Sequence, residues 1–485
     1  MAGIGVRLNR IYEKNTLTSN LVGIGYSVVI TVAPMIFVIL AIFCMQIVLD
    51  VSKCGYAARE LFACTVLYIF IFSMLMASPF NSVFSRYMSD IIFEERYEDI
   101  MPCFYVGMLM NTGFGALFGI PFCVREYLVS NVSGLYVFTS YCGYLALILV
   151  FYAMLYLSIC KDYPKISFFF AVGMILTVIL SAVFVYVFHM EKTYAMLLAL
   201  TIGFLLIACL ETALIRSYFR ENSGRYRLIF HYFVRFWKLV LTNFLYTLGL
   251  YIHNFVFWTT NLRMVVAKSF VCVTSYDMAT CLAMFTNISA SMIFISRVEM
   301  HFHERYKLYS EAVIGGRNMD IQLTKNRMFR QMGEELSSLV RIQFFVSIIV
   351  YFICVILLPA FGFGGLVLKI YPCLAAGYFV LFIMYATVIF LYYFNDLTGS
   401  LITAGSFCLI TLLMSILATH LPELWYGIGV LSGSIISWSI AYFRIKWLEQ
   451  NLDEHTFCRG SMLQAGKGKK PSAKVFDRYA KDEVS

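Results

Sequence analysis

Asn243, Thr247, Tyr251, Asn254 and Trp258 follow one another at steps of four, four, three and four residues. That spacing places side chains on one face of a helix. Amides and hydroxyls in such a row can hydrogen-bond a neutral sugar, and aromatic rings can cover its apolar face. Two shorter rows accompany it: Thr280, Asn287 and Ser291, and Gly23, Ser27 and Thr31 ahead of Pro34. The same residue types also pack membrane helices against one another. Ser27, Thr31, Asn243, Thr247, Tyr251, Asn254, Trp258, Asn287 and Ser291 are therefore substrate-path candidates, with helix packing as the alternative reading.

Charge is nearly absent from the apolar stretches that carry these rows. Glu211 is the one acid well inside such a stretch, and an intramembrane carboxylate is costly enough to be a functional candidate by default. It is a coupling candidate. It also lies about one turn from the end of its stretch, near Arg216, so an interfacial ion pair is the alternative. His253, the one His well inside a stretch, is either a proton switch or a hydrogen-bonded packing residue.

No enzyme chemistry emerges. Gly466-Lys467-Gly468-Lys469-Lys470 lacks the spacing and the hydroxyl residue of a phosphate loop. His301 and His303, two apart in a charged segment, do not have metal-ligand spacing. No catalytic residue, metal or cofactor is expected.

The elements that must position these residues are membrane helices. The chain has 485 residues, 61% of them hydrophobic and 13% charged, with a mean hydropathy of +0.78. A soluble domain carries roughly 25% charge, so a water-soluble enzyme and a disordered chain are both excluded. A bilayer core needs roughly 20 apolar residues per helix. Twelve stretches meet that length: 20–49, 61–85, 103–122, 135–160, 166–188, 193–215, 239–260, 275–296, 342–360, 373–394, 398–418 and 424–443. Pro34 predicts a kinked or interrupted first helix.

Positive charge orients the chain. Of 37 Lys and Arg, 30 fall on the N-terminal segment, the even-numbered loops and the C-terminal tail, and seven on the odd-numbered loops. Both termini are thus expected in the cytoplasm. The first apolar run is too long for a cleavable signal. Residues 4–14 fit either a short helix in the headgroup layer or a basic lead-in. The net charge of +9 suits anionic lipid and calls for no nucleic acid. Most of the 14 Cys lie inside the stretches as small apolar residues. Cys54, Cys123, Cys272 and Cys373 fall in outward loops, no CxxC occurs, and no disulfide is expected.

The two halves resemble each other. Ser85-Arg86 ends the second stretch and Ser296-Arg297 the eighth. Phe93-Glu94-Glu95-Arg96-Tyr97 follows the first pair and Phe302-His303-Glu304-Arg305-Tyr306 the second. The expected fold is all-α: a polytopic membrane protein with twelve transmembrane helices in two six-helix lobes. It comprises an interfacial segment 1–19, a lobe 20–215, a cytoplasmic connector 216–238, a lobe 239–443 and a basic tail 444–485. Repeats of this kind are common in transporters, with the substrate path between them. Arg86 and Arg297 are candidates for a cytoplasmic gate, braced by Asp90, Glu94 or Glu299. Ordinary positive-inside anchoring is the alternative.

The opening Met1-Ala2-Gly3-Ile4-Gly5, followed by Arg7-Leu8, resembles the start of the Pel exopolysaccharide exporters, members of the multidrug/oligosaccharidyl-lipid/polysaccharide flippase superfamily. Further likeness lies in Gly25-Tyr26 with Pro34, in Ser85-Arg86-Tyr87 with Asp90 and Phe93, around Tyr306, Tyr309, Gly315, Gly316 and Met328, and in Tyr392-Tyr393-Phe394. The resemblance implies a two-lobed exporter whose first, second, seventh and eighth helices border the cavity. It also implies a galactosamine-containing polymer made by a cytoplasmic glycosyltransferase, and partners that bind cyclic di-GMP or scaffold the complex. Three readings stay open: polysaccharide export, a lipid-linked oligosaccharide flippase or drug/cation antiporter of the same architecture, and a non-transporting scaffold of a synthase complex.

Overall fold

The computed structural model describes residues 17–130, 132–160, 162–297, 302–360, 365–453 and 455. Residues 4–14, Glu299, His301 and the Gly-Lys run at 466–470 lie outside them. Six long helices form the first lobe: α1 (Leu17–Val48), α2 (Tyr56–Phe93), α3 (Ile100–Val129), α4 (Gly134–Ile159), α5 (Tyr163–Tyr186) and α6 (Lys192–Tyr218). A short helix, α7 (Leu228–Arg235), joins it to the second lobe, α8 (Trp237–Phe257) and α9 (Thr274–Arg297). Then come α10 (His303–Gly315), α11 (Asn318–Ala360), α12 (Leu366–Tyr393), α13 (Leu397–Ala418) and α14 (Ile428–Asp453). Ten of these segments are long and apolar enough to cross a bilayer by length and composition. α1 and α9 complete the twelve. The face where α1 begins and α14 ends is called here the terminal face.

Packing repeats between the lobes. In the first, α1 packs on α5, α2 on α4, and α6 on both α4 and α5. In the second, α8 packs on α13, α9 on α12, and α14 on both α12 and α13. The lobes meet where α2 lies on α8 and α1 on α9, two contacts that exchange under the same correspondence. Small residues let backbones touch within each lobe. A Cβ on Gly203 of α6 would collide with Thr177 Oγ1 and stand 3.2 Å from the Gly173 carbonyl of α5.

The structure departs from the sequence expectation in four places. α1 is one continuous helix that holds Pro34 within it, so of the kink or interruption expected there the interruption is absent. α12 starts at Leu366 rather than 373 and holds Pro372 within it, because Val367, Ile370 and Tyr371 are buried in the lobe core and draw the helix start inward. α11 is 43 residues long, about 65 Å, since it continues from its apolar portion into the segment expected as a loop. With α10 it forms a helical hairpin whose Tyr309, Met328, Phe329 and Met332 join Phe390, Ile445 and Leu448 in one core cluster. Finally, the loop after α8 is a small antiparallel hairpin, β1 (Met264–Val266) and β2 (Phe270–Cys272), with Val266 opposite Phe270. It lies on the face opposite the termini, called here the hairpin face. It turns through Ala267 and Lys268 at φ 49° and 69°, left-handed values unusual for non-glycine residues.

The repeated motif takes two local structures. Phe93 ends α2 and Glu95 turns the chain at φ 58°, whereas Phe302 immediately precedes α10 and is buried in the hairpin core. At the terminal face each lobe also has an aspartate just before a helix, α5 in the first and α13 in the second. Asp162 pairs with Lys165 at 3.0 Å and accepts from Tyr218 Oη. Asp396 accepts from Gly399 N at 3.0 Å and pairs with Arg444 through Nε at 2.5 Å and Nη2 at 3.2 Å.

Candidate functional site

One of the two helix contacts that join the lobes is α2 on α8, and the row predicted on α8 supplies much of it. The two helices run antiparallel. From the terminal face, Val83 packs with Phe236 and Leu239. Asn243 Nδ2 then donates to the Ser78 carbonyl at 2.8 Å, and Tyr251 Oη donates to Met74 Sδ at 3.2 Å. Phe255 stacks on Phe72 with centroids 5.9 Å apart, and Trp258 lies 5.1 Å from Tyr68. None of these contacts uses a charged side chain. Thr247, on the same helix, is buried.

Asn254 and Trp258 also reach α9, where they meet a buried acid. Asp277, 5% exposed, accepts from Asn254 Nδ2 at 2.7 Å, from Trp258 Nε1 at 3.1 Å to each oxygen, and from Val273 N at 3.0 Å. The first turn of a helix favours a carboxylate, and the three donors satisfy it without a cation. The Asn254 Oδ1 is left buried with no partner.

The other candidates lie inside the second lobe. Asn287 donates to the Ala283 and Ala375 carbonyls and accepts from Gln343 Nε2 at 3.2 Å and Ser347 Oγ at 3.0 Å. It thus ties α9 to α11 and α12. His253 is fully buried; its Nδ1 lies 2.8 Å from Tyr276 Oη and its Nε2 3.2 Å from Tyr378 Oη. The side chains of Ser27, Thr31, Ser291 and Arg297 lie outside the described residues.

Glu211 sits within α6 with no exposed surface, and neither carboxylate oxygen has a hydrogen-bond partner. Arg216 does not serve it: its Nε donates to Tyr105 Oη at 2.8 Å, and its guanidinium lies over that ring. At the terminal face Arg86 approaches Asp90 at 3.6 Å and covers the Phe236 ring at 5.4 Å. Asp90 also accepts from Tyr232 of α7, so this pair grips the connector between the lobes. Glu94 is taken by Arg96.

Beside the seam, within the first lobe, a cavity of about 240 Å³ is walled by Phe72, Phe122, Tyr141 and Tyr144 and bounded by Tyr68 and Phe270. Among the described residues, no three His, Cys, Asp or Glu gather as a metal site. The α2–α8 contacts are thus made by amide, thioether and aromatic groups, while Glu60 and Glu126 of the first lobe accept from Thr274 and Ser269 beside the β-hairpin.

Comparison with known proteins places this geometry. The model of the family described as "PelG: Putative exopolysaccharide Exporter (EPS-E)" matches residues 1–457. Among solved structures, the Vibrio cholerae MATE transporter VcmN in its bent form superposes with a TM-score of 0.59 at 13% identity, over 89% of this chain and 98% of that one. An outward-facing multidrug resistance MATE transporter of the MOP superfamily gives 0.58 at 13% identity, over 89% and 96%. A MOP-superfamily transporter from Pyrococcus furiosus gives 0.53 at 13% identity, over 89% and 96%. At that identity the likeness concerns the fold. No curated protein matches by sequence.

Proposed function

Because the chain belongs to the PelG family of exopolysaccharide exporters, we propose that it carries a Pel-like, galactosamine-containing polymer across the bacterial cytoplasmic membrane by opening the seam between its lobes. Transport across a membrane follows from the family and the two-lobed fold; the substrate, the direction and the alternating or gated movement are the proposal. The terminal face is read as cytoplasmic because 30 of the 37 Lys and Arg fall in the N-terminal segment, the even-numbered loops and the C-terminal tail of the sequence, where they would also hold anionic lipid.

The observation that carries the substrate reading is that the side chains joining α2 directly to α8 along its length, Asn243, Tyr251, Phe255 and Trp258, are uncharged, with the Asp277 carboxylate behind them taken up by three N–H donors. A cationic, deacetylated polymer leaving against an inside-negative potential costs about 2.3 kcal/mol per charge per 100 mV and would favour an acidic path. The seam contacts offer amide, hydroxyl, thioether and aromatic groups instead. The polymer therefore crosses as the neutral, N-acetylated chain and is deacetylated outside. A cytoplasmic glycosyltransferase supplies it, and cyclic di-GMP-binding or scaffold subunits complete the complex. The α10–α11 hairpin offers them a structured surface on the cytoplasmic side. Glu211 is the coupling candidate, and Arg86 with Arg297 the cytoplasmic gate.

Proteoliposomes loaded from one side with acetylated or deacetylated oligomers of stated length test this. Passage of the acetylated form alone is expected. Equal passage of both would remove the charge argument, and passage of neither, with the protein correctly folded, would remove export itself.

A further inference from the structure

Cys64 and Cys272 are separated by most of the first lobe in sequence, and the fold brings them together across the lobe boundary. Cys64 stands on α2 four residues before Tyr68, hence on the same helical face. Tyr68 Oη accepts from Val271 N at 2.9 Å and donates to Val271 O at 2.5 Å. Cys64 Sγ reaches that same carbonyl at 3.8 Å. The next residue is Cys272, whose position is fixed by strand pairing with Met264. Cys64 therefore lies against the backbone of the residue next to Cys272, and both side chains fall in one buried cluster. They are 1% and 3% exposed and share a small cluster with Val266 and Phe270, apart from the main lobe cores. Both are free.

We propose that Cys64 and Cys272 form a redox-modifiable pair that closes into a disulfide between the lobes on the hairpin face. Each thiol loses its proton, a sulfur–sulfur bond forms, and two electrons pass to the disulfide of an oxidoreductase of the dithiol/disulfide class. That disulfide is reduced to two thiols and takes up the protons. Such oxidants act outside the cytoplasm, so the proposal rests on the orientation given under the proposed function. The sulfurs are buried with the hairpin seated. Exchange therefore proceeds while β2 is lifted, and seating the hairpin completes the bond and then shields it. Once formed, the bond ties α2 directly to the strand that leads into α9. The lobes then cannot separate at that edge, while the α10–α11 side stays free to move.

The test uses the full-length protein with a protease site inserted between Glu221 and Asn222 in the exposed connector. After treatment with oxidised glutathione and proteolysis, the two lobes should run as one band on a non-reducing gel and separate on adding dithiothreitol. C64S and C272S should each separate without reductant. Wild-type lobes that separate after oxidation, or C64S lobes that stay joined, would overturn the pair. Peptide mass spectrometry reads the same bond independently of how well the Ser variants fold: a linked peptide spanning residues 64 and 272 is expected, and its absence counts against it. A membrane-impermeant oxidant applied to intact cells and to inverted vesicles separates the pair from its sidedness. Linkage in cells alone supports both, whereas linkage in inverted vesicles alone keeps the pair and overturns the orientation.

Discussion

Tyr68 holds Val271 by both polar groups of its backbone: the hydroxyl donates to the carbonyl at 2.5 Å and accepts from the amide at 2.9 Å. One side chain of the first lobe thereby seats a strand of the second. Removing the hydroxyl in Y68F leaves the Val271 amide without that partner, at a cost of about 1–3 kcal/mol. Amide exchange across Phe270–Cys272 should accelerate about tenfold or more while exchange in α12 stays unchanged. Unchanged exchange in the hairpin would show that its seating comes from packing alone.

Asp277 gathers three donors from α8 and from the start of α9. D277A strands the Asn254 amide, the Trp258 indole N–H and the Val273 amide in a buried place, and should cost about 3 kcal/mol. D277N keeps an acceptor oxygen and should cost about half as much. Thermal melts in detergent rank the two. A D277A melt matching the wild type would remove the aspartate as the centre of this network.

Apolar runs made the membrane helices legible because bilayer thickness imposes one length on each of them. They could not show α11, since the ruler ends where water begins; below residue 342 the helix rests on its contacts with Phe390, Ile445 and Leu448. The α8 row falls on one helix and its C-cap, but its spacing did not name the neighbours. Asn243 and Tyr251 meet α2, Asn254 turns to α9, and Trp258 touches both. Asp277 carries no local signal, because its partners at 254 and 258 become its neighbours only after the helices pack. Cys64 and Cys272 were hidden for the same reason, one read as core filler and the other as loop.

Asp453, at the end of α14, ties that helix to the α10–α11 hairpin. Burial works to raise its carboxyl, but the Tyr309 hydroxyl at 2.6 Å and the Lys325 ammonium at 2.9 Å outweigh it and hold the group below 3.8. A depressed folded value means the contact stabilises fully above the ordinary carboxylate range and fades as pH falls through the folded value. Protease cutting at the α10–α11 turn should therefore stay flat from pH 7 to about pH 4 and rise below it. K325Q should raise cutting at neutral pH and flatten the acid rise; an identical profile in K325Q would detach the effect from this contact.

Arg86 and Asp90 form a partly exposed pair at 3.6 Å, worth less than about 1 kcal/mol in stability. Neutralising both Arg86 and Arg297 should leave the amount and melting temperature of the membrane protein nearly unchanged. If the two arginines gate the cytoplasmic side, polymer secretion should fall at least tenfold. Secretion at the wild-type level would reduce both to positive-inside anchors.

Glu211 separates stability from function most sharply. Its two oxygens are buried without a hydrogen bond, and an unpaired buried polar group costs about 1–3 kcal/mol. Replacing it by a hydrocarbon of similar size should recover some of that, so E211L should melt at or above the wild-type temperature. A residue kept only for packing would then secrete polymer normally in E211L. If Glu211 instead takes up and releases a cation or proton during transport, E211L should secrete little despite its stability. E211D, which keeps the carboxyl, should retain more than E211L. Secretion by E211L equal to the wild type, from a protein at least as stable, would exclude Glu211 from coupling.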